Sequence, residues 1–314
     1  MSLSYAMQAM ELLDDPNING KIIMELFKYN QYIETTTKTV LGERGSTDFV
    51  KTLIKGENGK SAGGNAQTLG IVGRLGGIGA RPSRTGLVSD ADGAVSGIAI
   101  ALKLANMASK GDRLEGDVYV TTHICPDAPT EPHHPVDFMG SPVDLSVMNQ
   151  YEIFAEMDAI ISIDTTKGNR IINQKGISIS PTVKEGYILK VSDDLLRIME
   201  MSTGQLPSTF PITTQDITPY GNGLYHINSI LQPAVATEKP VVGLAIVAQS
   251  IVPGCATGAS HEVDIAEAVR FTIEVAKEYT EGSISFYDEA EFNRLVELYG
   301  AMTVLQSFGR DVLA

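Results

Sequence analysis

The sequence alternates short apolar runs with segments of helical length, and this alternation limits the folds open to the chain. Helical patterns, the clearest at residues 95–111 and 261–282, separate the apolar runs. Strands that alternate with helices form a sheet covered by helices on both faces. We therefore predict an α/β fold, a three-layer α/β/α arrangement with a mixed, mostly parallel sheet. The predicted strands are TLGIVGR (68–74), DVYVTTHI (117–124), DAIISIDTT (158–166) and KPVVGLAIVAQ (239–249).

The domain organisation follows from the lack of internal boundaries. The sequence has no repeat, no low-complexity tract and no linker, so one domain covering residues 1–314 is the simplest organisation. Helical patterns at 5–13 and 20–29 predict an N-terminal helical segment, residues 1–48, packed on that domain. The stretch FVKTLIKG (49–56) is also expected to be helical, because it ends in a glycine.

Charge and cysteine content exclude several classes of function. The 314 residues carry a formal net charge of -14 without a basic cluster, which disfavours nucleic acid as a partner. Two cysteines, Cys125 and Cys255, are too few for a disulfide framework and fit a reducing compartment. The N-terminus has no basic leader, and no apolar run nears the roughly 20 residues that span a bilayer. We expect a cytoplasmic protein with neither a nucleic-acid nor a membrane partner.

Aspartates stand where two of the predicted strand regions end. Asp90 and Asp92 lie between an extended segment and the helix at 95–111, and Asp164 follows the apolar run AIISI. An aspartate before a helix either caps it or binds a cation. A carboxylate at the end of a buried strand faces a cleft or has a charged partner. Because strand ends on one edge of a sheet converge, these side chains are candidates for a single site.

A second candidate is the segment HICPDAPTEPHHPVD (123–137), which holds three of the five histidines. Its imidazole and carboxylate groups suit zinc, manganese or iron, although their spacing matches no fixed ligand formula. The alternative is a proline-stiffened surface loop with solvated histidines. Outside this segment, His261 precedes the longest helical pattern and His226 lies in a turn-rich stretch, and either could be structural.

The glycine-rich stretch at 70–86 lacks the nucleotide-loop pattern GxxxxGK[ST]. It carries Arg74, Arg81 and Arg84, which could hold a carboxylate or phosphate of a substrate or could simply be solvated. No GxSxG motif is present, and neither cysteine has a catalytic setting, so covalent nucleophilic catalysis is disfavoured.

Four segments, taken in order, resemble the landmarks of the co-catalytic zinc aminopeptidases of the glutamyl and leucyl kind. They are GLVSDADGAVSGIAIALKLA, DVYVTTHICPDAP, MDAIISIDTT, and the stretch from KPVVGLAIVAQ to the helix after HEVD. The similarity covers roughly residues 50–280, and the chain is also similar to a bacterial family of uncharacterised proteins. The resemblance implies a zinc-aminopeptidase (phosphorylase/hydrolase)-like fold. The short segment at 73–90 implies that the dimerisation domain inserted in some members is absent.

By the same resemblance, Asp92, or as a less favoured choice Asp90, would bridge two metals, and Asp164 and His261 would be terminal ligands. The implied cofactor is a divalent metal, with zinc the expected ion. Two parts of that family's site have no counterpart here. Its first histidine is missing after the strand at 68–74, and HICPDAP replaces its Glu-Glu pair.

Two functions therefore stay open. The first is a metal-dependent hydrolase of peptide-like or amide bonds, acting on a small-molecule or peptide-like substrate. In it His123 or Asp127 would complete the ligand set, Asp127 or Glu131 would be the general base, and Arg81 or Arg84 would bind a substrate carboxylate. The second is an inactive protein with the aminopeptidase fold that binds a small metabolite or forms an assembly, such as a homo-oligomer.

Overall fold

The computed structural model describes residues 1–74, 76–134, 136–166, 168, 170–212, 230–250 and 260–307. His226 and Cys255 lie outside the described residues. Within the described part of the chain, no helix is both long enough and apolar enough to cross a membrane.

Local sequence signals place several helix ends. Asn19, Ser192 and Asp288 each accept hydrogen bonds from backbone N–H groups of the following first turn, as capping residues do. Gly204 ends one helix in the left-handed conformation, which costs glycine little. The described α-helices are α1 (Ser2–Leu13), α2 (Gly20–Phe27), α3 (Asp92–Ser109), α4 (Leu145–Glu152), α5 (Asp193–Thr203), α6 (Glu262–Thr280) and α7 (Glu289–Tyr299).

Nine of the described strands form one mixed sheet. The strands of this sheet are β1 (Ile33–Gly42), β2 (Gly45–Ile54), β3 (Leu69–Gly73), β4 (Val118–Ile124), β7 (Ala159–Thr166), β8 (Gly176–Ile179), β9 (Val183–Lys184), β10 (Tyr187–Ile188) and β11 (Val241–Val247); β5 (Thr130–Glu131) and β6 (Phe138–Met139) form a separate pair. The spatial order of the sheet is β1-β2-β4-β3-β7-β11-β9-β10, with β8 also paired to β11. The four central strands β4, β3, β7 and β11 are parallel, and the outer pairings are antiparallel.

Helices cover the two faces of the sheet unequally. On one face α3 and α6 pack on the parallel strands, and α1 and α5 pack on those helices. On the other face Met148 of α4 contacts Phe49 of β2, and the 3₁₀ turn Gln232–Val235 packs near Ile160 and Val241. The central strands are buried on both sides, which explains their continuous apolar runs. The predicted α/β fold with a mixed sheet is confirmed.

One predicted helix is wrong. The first six residues of FVKTLIKG belong to β2, which pairs with β1 on one side and β4 on the other. Its β-branched Val50, Thr52 and Ile54 favour the extended chain, and pairing on both edges overrides the helical spacing. The N-terminal segment is accordingly helical only as far as Phe27, because β1 begins at Ile33.

Candidate functional site

Two of the predicted site residues lie together at the carboxyl edge of the parallel strands. Asp164 is close to the end of β7, and Asp92 is the first residue of α3, which follows β3 after a loop. Because β3 and β7 are parallel neighbours, their carboxyl ends open on the same edge. Both side chains are buried. Asp264, in the first turn of α6, acts electrostatically on Asp92, and these three acids are called the carboxylate cluster.

Hydroxyl and backbone groups hold the carboxylate cluster in place. The Ser260 hydroxyl donates a hydrogen bond to Asp92 Oδ1 at 2.5 Å, and the Thr165 N–H donates to Asp164 Oδ1 at 2.8 Å. The Thr165 hydroxyl donates to the Ser89 carbonyl at 2.9 Å, which ties β7 to the turn before α3. These bonds orient two acids that come from distant parts of the sequence.

The cluster concentrates negative charge where water is scarce. Burial raises the pKa of Asp92 from 3.8 to about 7, hydrogen bonding by Ser260 and Thr165 opposes the rise, and the charges of Asp264 and Asp164 add to it. Burial also raises the pKa of Asp264, while Lys175 and His261 oppose that rise. Asp264 is only 5% exposed, and its Oδ2 atom has no hydrogen-bond partner among the described residues. The cluster is therefore suited to a positively charged ligand.

Gly93 allows the close approach that positions Asp92. A Cβ atom on Gly93 would lie 1.8 Å from the Arg74 carbonyl oxygen and 2.5 Å from the Ile163 carbonyl oxygen. Both oxygens are backbone atoms at the ends of β3 and β7, so neither can turn aside. The start of α3 thus rests directly on the strand ends because residue 93 has no side chain.

We expect Gly93→Ala to lower the free energy of unfolding by about 2 kcal/mol through this overlap. Gly97→Ala, four residues along the same helix, is the matched control. Its Cβ would meet Val120 Cγ1 at 3.5 Å, an ordinary contact, and alanine stabilises a helix interior by about 0.5–1 kcal/mol over glycine. Urea unfolding of both variants measures the difference. Equal effects would contradict the close approach described here.

His123 lies in a separate internal network, called the Arg74–Glu152 network. Arg74 Nε is 2.6 Å from Glu152 Oε2, and the two side chains are 1% and 0% exposed. Arg74 Nη2 also donates to Asn149 Oδ1 at 2.6 Å. His123 Nε2 accepts the Gly76 N–H at 3.1 Å, which assigns the ring proton to Nδ1, and Nδ1 donates to Glu152 Oε1 at 2.7 Å. Both ring nitrogens are engaged, so neither offers a lone pair to a metal.

The charge on Glu152 is stabilised from two directions. Burial alone would raise the pKa of Glu152, but the Arg74 guanidinium and the His123 ring outweigh burial and lower it below its ordinary value. A buried carboxylate with such partners is ionised and structural in character. Arg74 therefore serves as an internal counter-ion and not as the loop residue for substrate binding considered from the sequence.

The remaining candidates from the histidine-rich segment are dispersed on the surface. Asp127 is exposed, and Glu131 is exposed and paired with Arg44 at 2.7 Å. His133 and His134 are also exposed, and His133 Nδ1 is 3.0 Å from the carbonyl oxygen of Val136. The structure does not bring these groups together with His123, so the segment combines one buried histidine with several exposed polar groups.

The two arginines predicted to bind substrate make contacts within the chain. Arg81 donates to the Asp14 carbonyl at 2.8 Å and to the Pro126 carbonyl at 3.2 Å, so it ties α1 to the loop after β4. Arg84 Nη2 is 3.4 Å from Asp137 Oδ2 in a half-exposed pair. Their proposed role in substrate binding stays a prediction.

His261 and Asp90, the other two residues predicted for this site, are in different settings. His261 is the exposed N-cap residue of α6, directly after Ser260, and its ring acts on the Asp264 carboxyl group. Asp90 is buried in the 3₁₀ turn Ser89–Ala91 that leads into α3. The assignment of His261 and Asp90 to a functional site stays a prediction.

Sequence reasoning missed Asp264, Ser260 and Glu152. Asp264 lies three residues after His261, and an acid in the first turn of a helix is ordinarily a solvated group that favours the helix dipole. Glu152 follows a tyrosine in a weakly apolar stretch without a motif. Only their burial distinguishes Asp264 and Glu152 from ordinary surface acids, and burial depends on tertiary packing, which the sequence does not show.

The predicted ligands do not form a zinc centre among the described residues. Zinc is held by three or four nitrogen, sulfur or oxygen ligands in tetrahedral arrangement. Among the described residues, no three His, Cys, Asp or Glu side chains are arranged to hold a metal ion. The described residues therefore do not fit a complete zinc centre of the predicted kind. The two neighbouring carboxylates, Asp92 and Asp164, are hard oxygen donors.

Most of the chain matches one protein family. Residues 38–309 match the family described as "Protein of unknown function (DUF1177)". The chain belongs to this family. No curated protein sequence matches the chain. Among solved structures, a mutant leucine aminopeptidase from tomato is similar, with 13% sequence identity and a TM-score of 0.45. The match covers 85% of this chain and 61% of the aminopeptidase, so this chain spans about three fifths of that protein's length.

Proposed function

We propose that this chain is a binding protein that holds the positively charged group of a small ligand in the carboxylate cluster. The observation that carries the proposal is the mutual placement of Asp92, Asp164 and Asp264, three buried acids that interact electrostatically at the carboxyl edge of a parallel sheet. Buried carboxylates that repel one another are costly unless a cation offsets them. The edge is also the usual ligand position in folds of this class.

Two kinds of ligand provide the required charge. The ammonium group of an amine-bearing metabolite has three N–H donors for carboxylate oxygens. A hydrated Mg²⁺ or Mn²⁺ ion binds through one or two carboxylates and keeps several waters. Both sources share one chemistry, a compact cation surrounded by oxygens, and a binding experiment separates them.

Calorimetric titration of the purified full chain with MgCl₂, MnCl₂, ZnCl₂ and leucinamide, each alone, tests the proposal. We expect one of these probes to bind, and Asp164→Asn and Asp264→Asn each to weaken that binding at least about tenfold. Asp112→Asn, in an exposed loop, is the matched control and should bind like the unmodified chain. Circular dichroism checks that each variant is folded. No binding by any probe, or equal binding by all variants, would refute the proposal.

A second candidate function is the metal-dependent hydrolase of peptide-like bonds, with zinc as its ion. It is favoured by one observation, the proximity of Asp92 and Asp164 at the positions that the resemblance implies for metal ligands. A hydrolase of this kind needs a general base. Asp127 and Glu131, the residues that the sequence suggests for that role, are exposed. Release of p-nitroaniline from leucine p-nitroanilide, stimulated by zinc, manganese or cobalt and lost in Asp164→Asn, would select this function over simple binding.

A further inference from the structure

A polar cavity lies at the end of the sheet opposite the carboxylate cluster, where the parallel strands begin. It has a volume of about 640 Å³ and is lined by residues that precede the parallel strands, including Gln67, Asp158 and Pro240. The loop between α6 and α7 forms another wall. Asp158 comes directly before β7, whereas Asp164 of the carboxylate cluster is near the other end of that strand. This space, called the lysine cavity, is thus distinct from the candidate site.

Three lysines, Lys60, Lys184 and Lys239, line the lysine cavity in a chain whose net charge is -14. Two of them donate hydrogen bonds to other groups of the chain. Lys60 Nζ is 2.5 Å from Asp158 Oδ2 and 3.1 Å from the Glu156 carbonyl oxygen. Lys184 pairs with Glu185, donates to the Glu238 carbonyl at 2.7 Å, and lies over the Phe292 ring. These two lysines hold the cavity wall together.

Lys239 differs from the other two lysines. Its Nζ is 3.7 Å from Asp158 Oδ1, beyond hydrogen-bond distance, and it donates to no group among the described residues. The Asp158 charge is already shared, because Asp158 Oδ2 accepts from Lys60 Nζ and from the Thr68 N–H at 3.0 Å. The Lys239 ammonium therefore brings at least two unused N–H donors to the cavity.

Tyr279 provides a second unused donor. Its side chain is 5% exposed and its ring packs edge-on against Phe286, yet within the described chain its hydroxyl makes no hydrogen bond. Burial, with the Asp158 charge adding to it, raises the pKa of this phenol, so the hydroxyl keeps its proton. Because Tyr279 lines the cavity, this hydroxyl can donate a hydrogen bond to a ligand oxygen there.

We propose that the lysine cavity binds the carboxylate or phosphate group of a small metabolite, with the Lys239 ammonium and the Tyr279 hydroxyl as donors. Ammonium and phenol donors suit an oxyanion, since each of its oxygens accepts more than one hydrogen bond. The volume falls within the range of small-molecule pockets. The net negative charge of the whole chain opposes anions, so the local donors must carry the recognition.

Equilibrium binding of inorganic phosphate and of citrate, each alone, to the full chain tests this proposal and separates the two anion classes. We expect at least one anion to bind, and Lys239→Gln to weaken it at least about tenfold. Tyr279→Phe keeps the ring packing and removes only the hydroxyl, so it should weaken binding by a smaller factor. Lys38→Gln, an exposed lysine on β1, is the matched control and should leave the affinity unchanged.

Two results would overturn the proposal. One is the failure of both anions to bind the folded chain, and the other is an affinity that Lys239→Gln and Lys38→Gln leave equally unchanged. Asp164→Asn should have no effect on anion binding, because Asp164 is at the other edge of the sheet. The outcome is therefore independent of whether the carboxylate cluster binds a cation.

Discussion

Replacing Arg74 by methionine is expected to lower the free energy of unfolding by about 3–5 kcal/mol. Methionine has a similar length but no charge, so Glu152 would remain in the interior with His123 and without its main counter-ion. The cost comes from the desolvation of Glu152, which water cannot relieve in a site that is 0% exposed. Guanidinium unfolding followed by far-ultraviolet circular dichroism measures the loss.

Two further variants separate charge from packing. Glu152→Gln added to Arg74→Met removes the unpaired charge, so the double variant should recover most of the stability that Arg74→Met loses. Arg44→Met breaks the Arg44–Glu131 pair, whose side chains are 49% and 52% exposed, and should cost less than about 1 kcal/mol. An Arg74→Met variant no less stable than Arg44→Met would show that Arg74 is not the counter-ion of Glu152.

The second large effect is a dependence of stability on pH that originates in Asp92. Its pKa in the folded chain is raised from 3.8 to about 7. The folded state therefore holds a proton that the unfolded state releases at lower pH, and the associated stability is fully present below about pH 4. It is lost as the pH rises through about 7. A rise of roughly three units corresponds to about 4 kcal/mol as an upper limit.

Asp92→Asn isolates this contribution, because asparagine has no acidic proton and can still accept from Ser260. Without added metal and with a chelator present, the variant should become progressively more stable than the unmodified chain between pH 4 and pH 8. Asp112→Asn, at an exposed position, should give a curve parallel to that of the unmodified chain. A stability difference between Asp92→Asn and the unmodified chain that is the same at every pH would exclude Asp92 as the source.

The sequence predicted the centre of the sheet better than its margin. The central strands are apolar on both faces, and a continuous apolar run is a strong signal once helical segments flank it. β1 has the sequence IETTTKTVLG, in which Glu34, Thr36, Lys38 and Thr39 are exposed, and no apolar pattern distinguishes it from a loop. β2 was mistaken for a helix because its place between two strands depends on a partner, β4, more than sixty residues away in sequence.

The proximity of two residues of the candidate site was predictable, because topology alone determines it. Asp92 and Asp164 were expected together because strand ends of a parallel sheet converge, and they do lie together. The role of His123 could not be deduced in this way. Its partner Glu152 is 29 residues away along the chain and Arg74 is 49 residues away, on separate elements that meet only through packing. A histidine among acids and prolines therefore suggested a ligand, although the fold uses it as a structural hydrogen-bonding group.

β7 runs from the lysine cavity to the carboxylate cluster, and its length has a thermodynamic consequence. Asp158 precedes this strand and Asp164 is near its end, so about six extended residues, or roughly 20 Å, separate the two aspartates. At this distance two unit charges interact by less than about 1 kcal/mol at an effective dielectric constant of about 20. A cation and an anion bound at the two ends of β7 should therefore raise the melting temperature nearly additively. Each should change the affinity for the other by less than about fivefold.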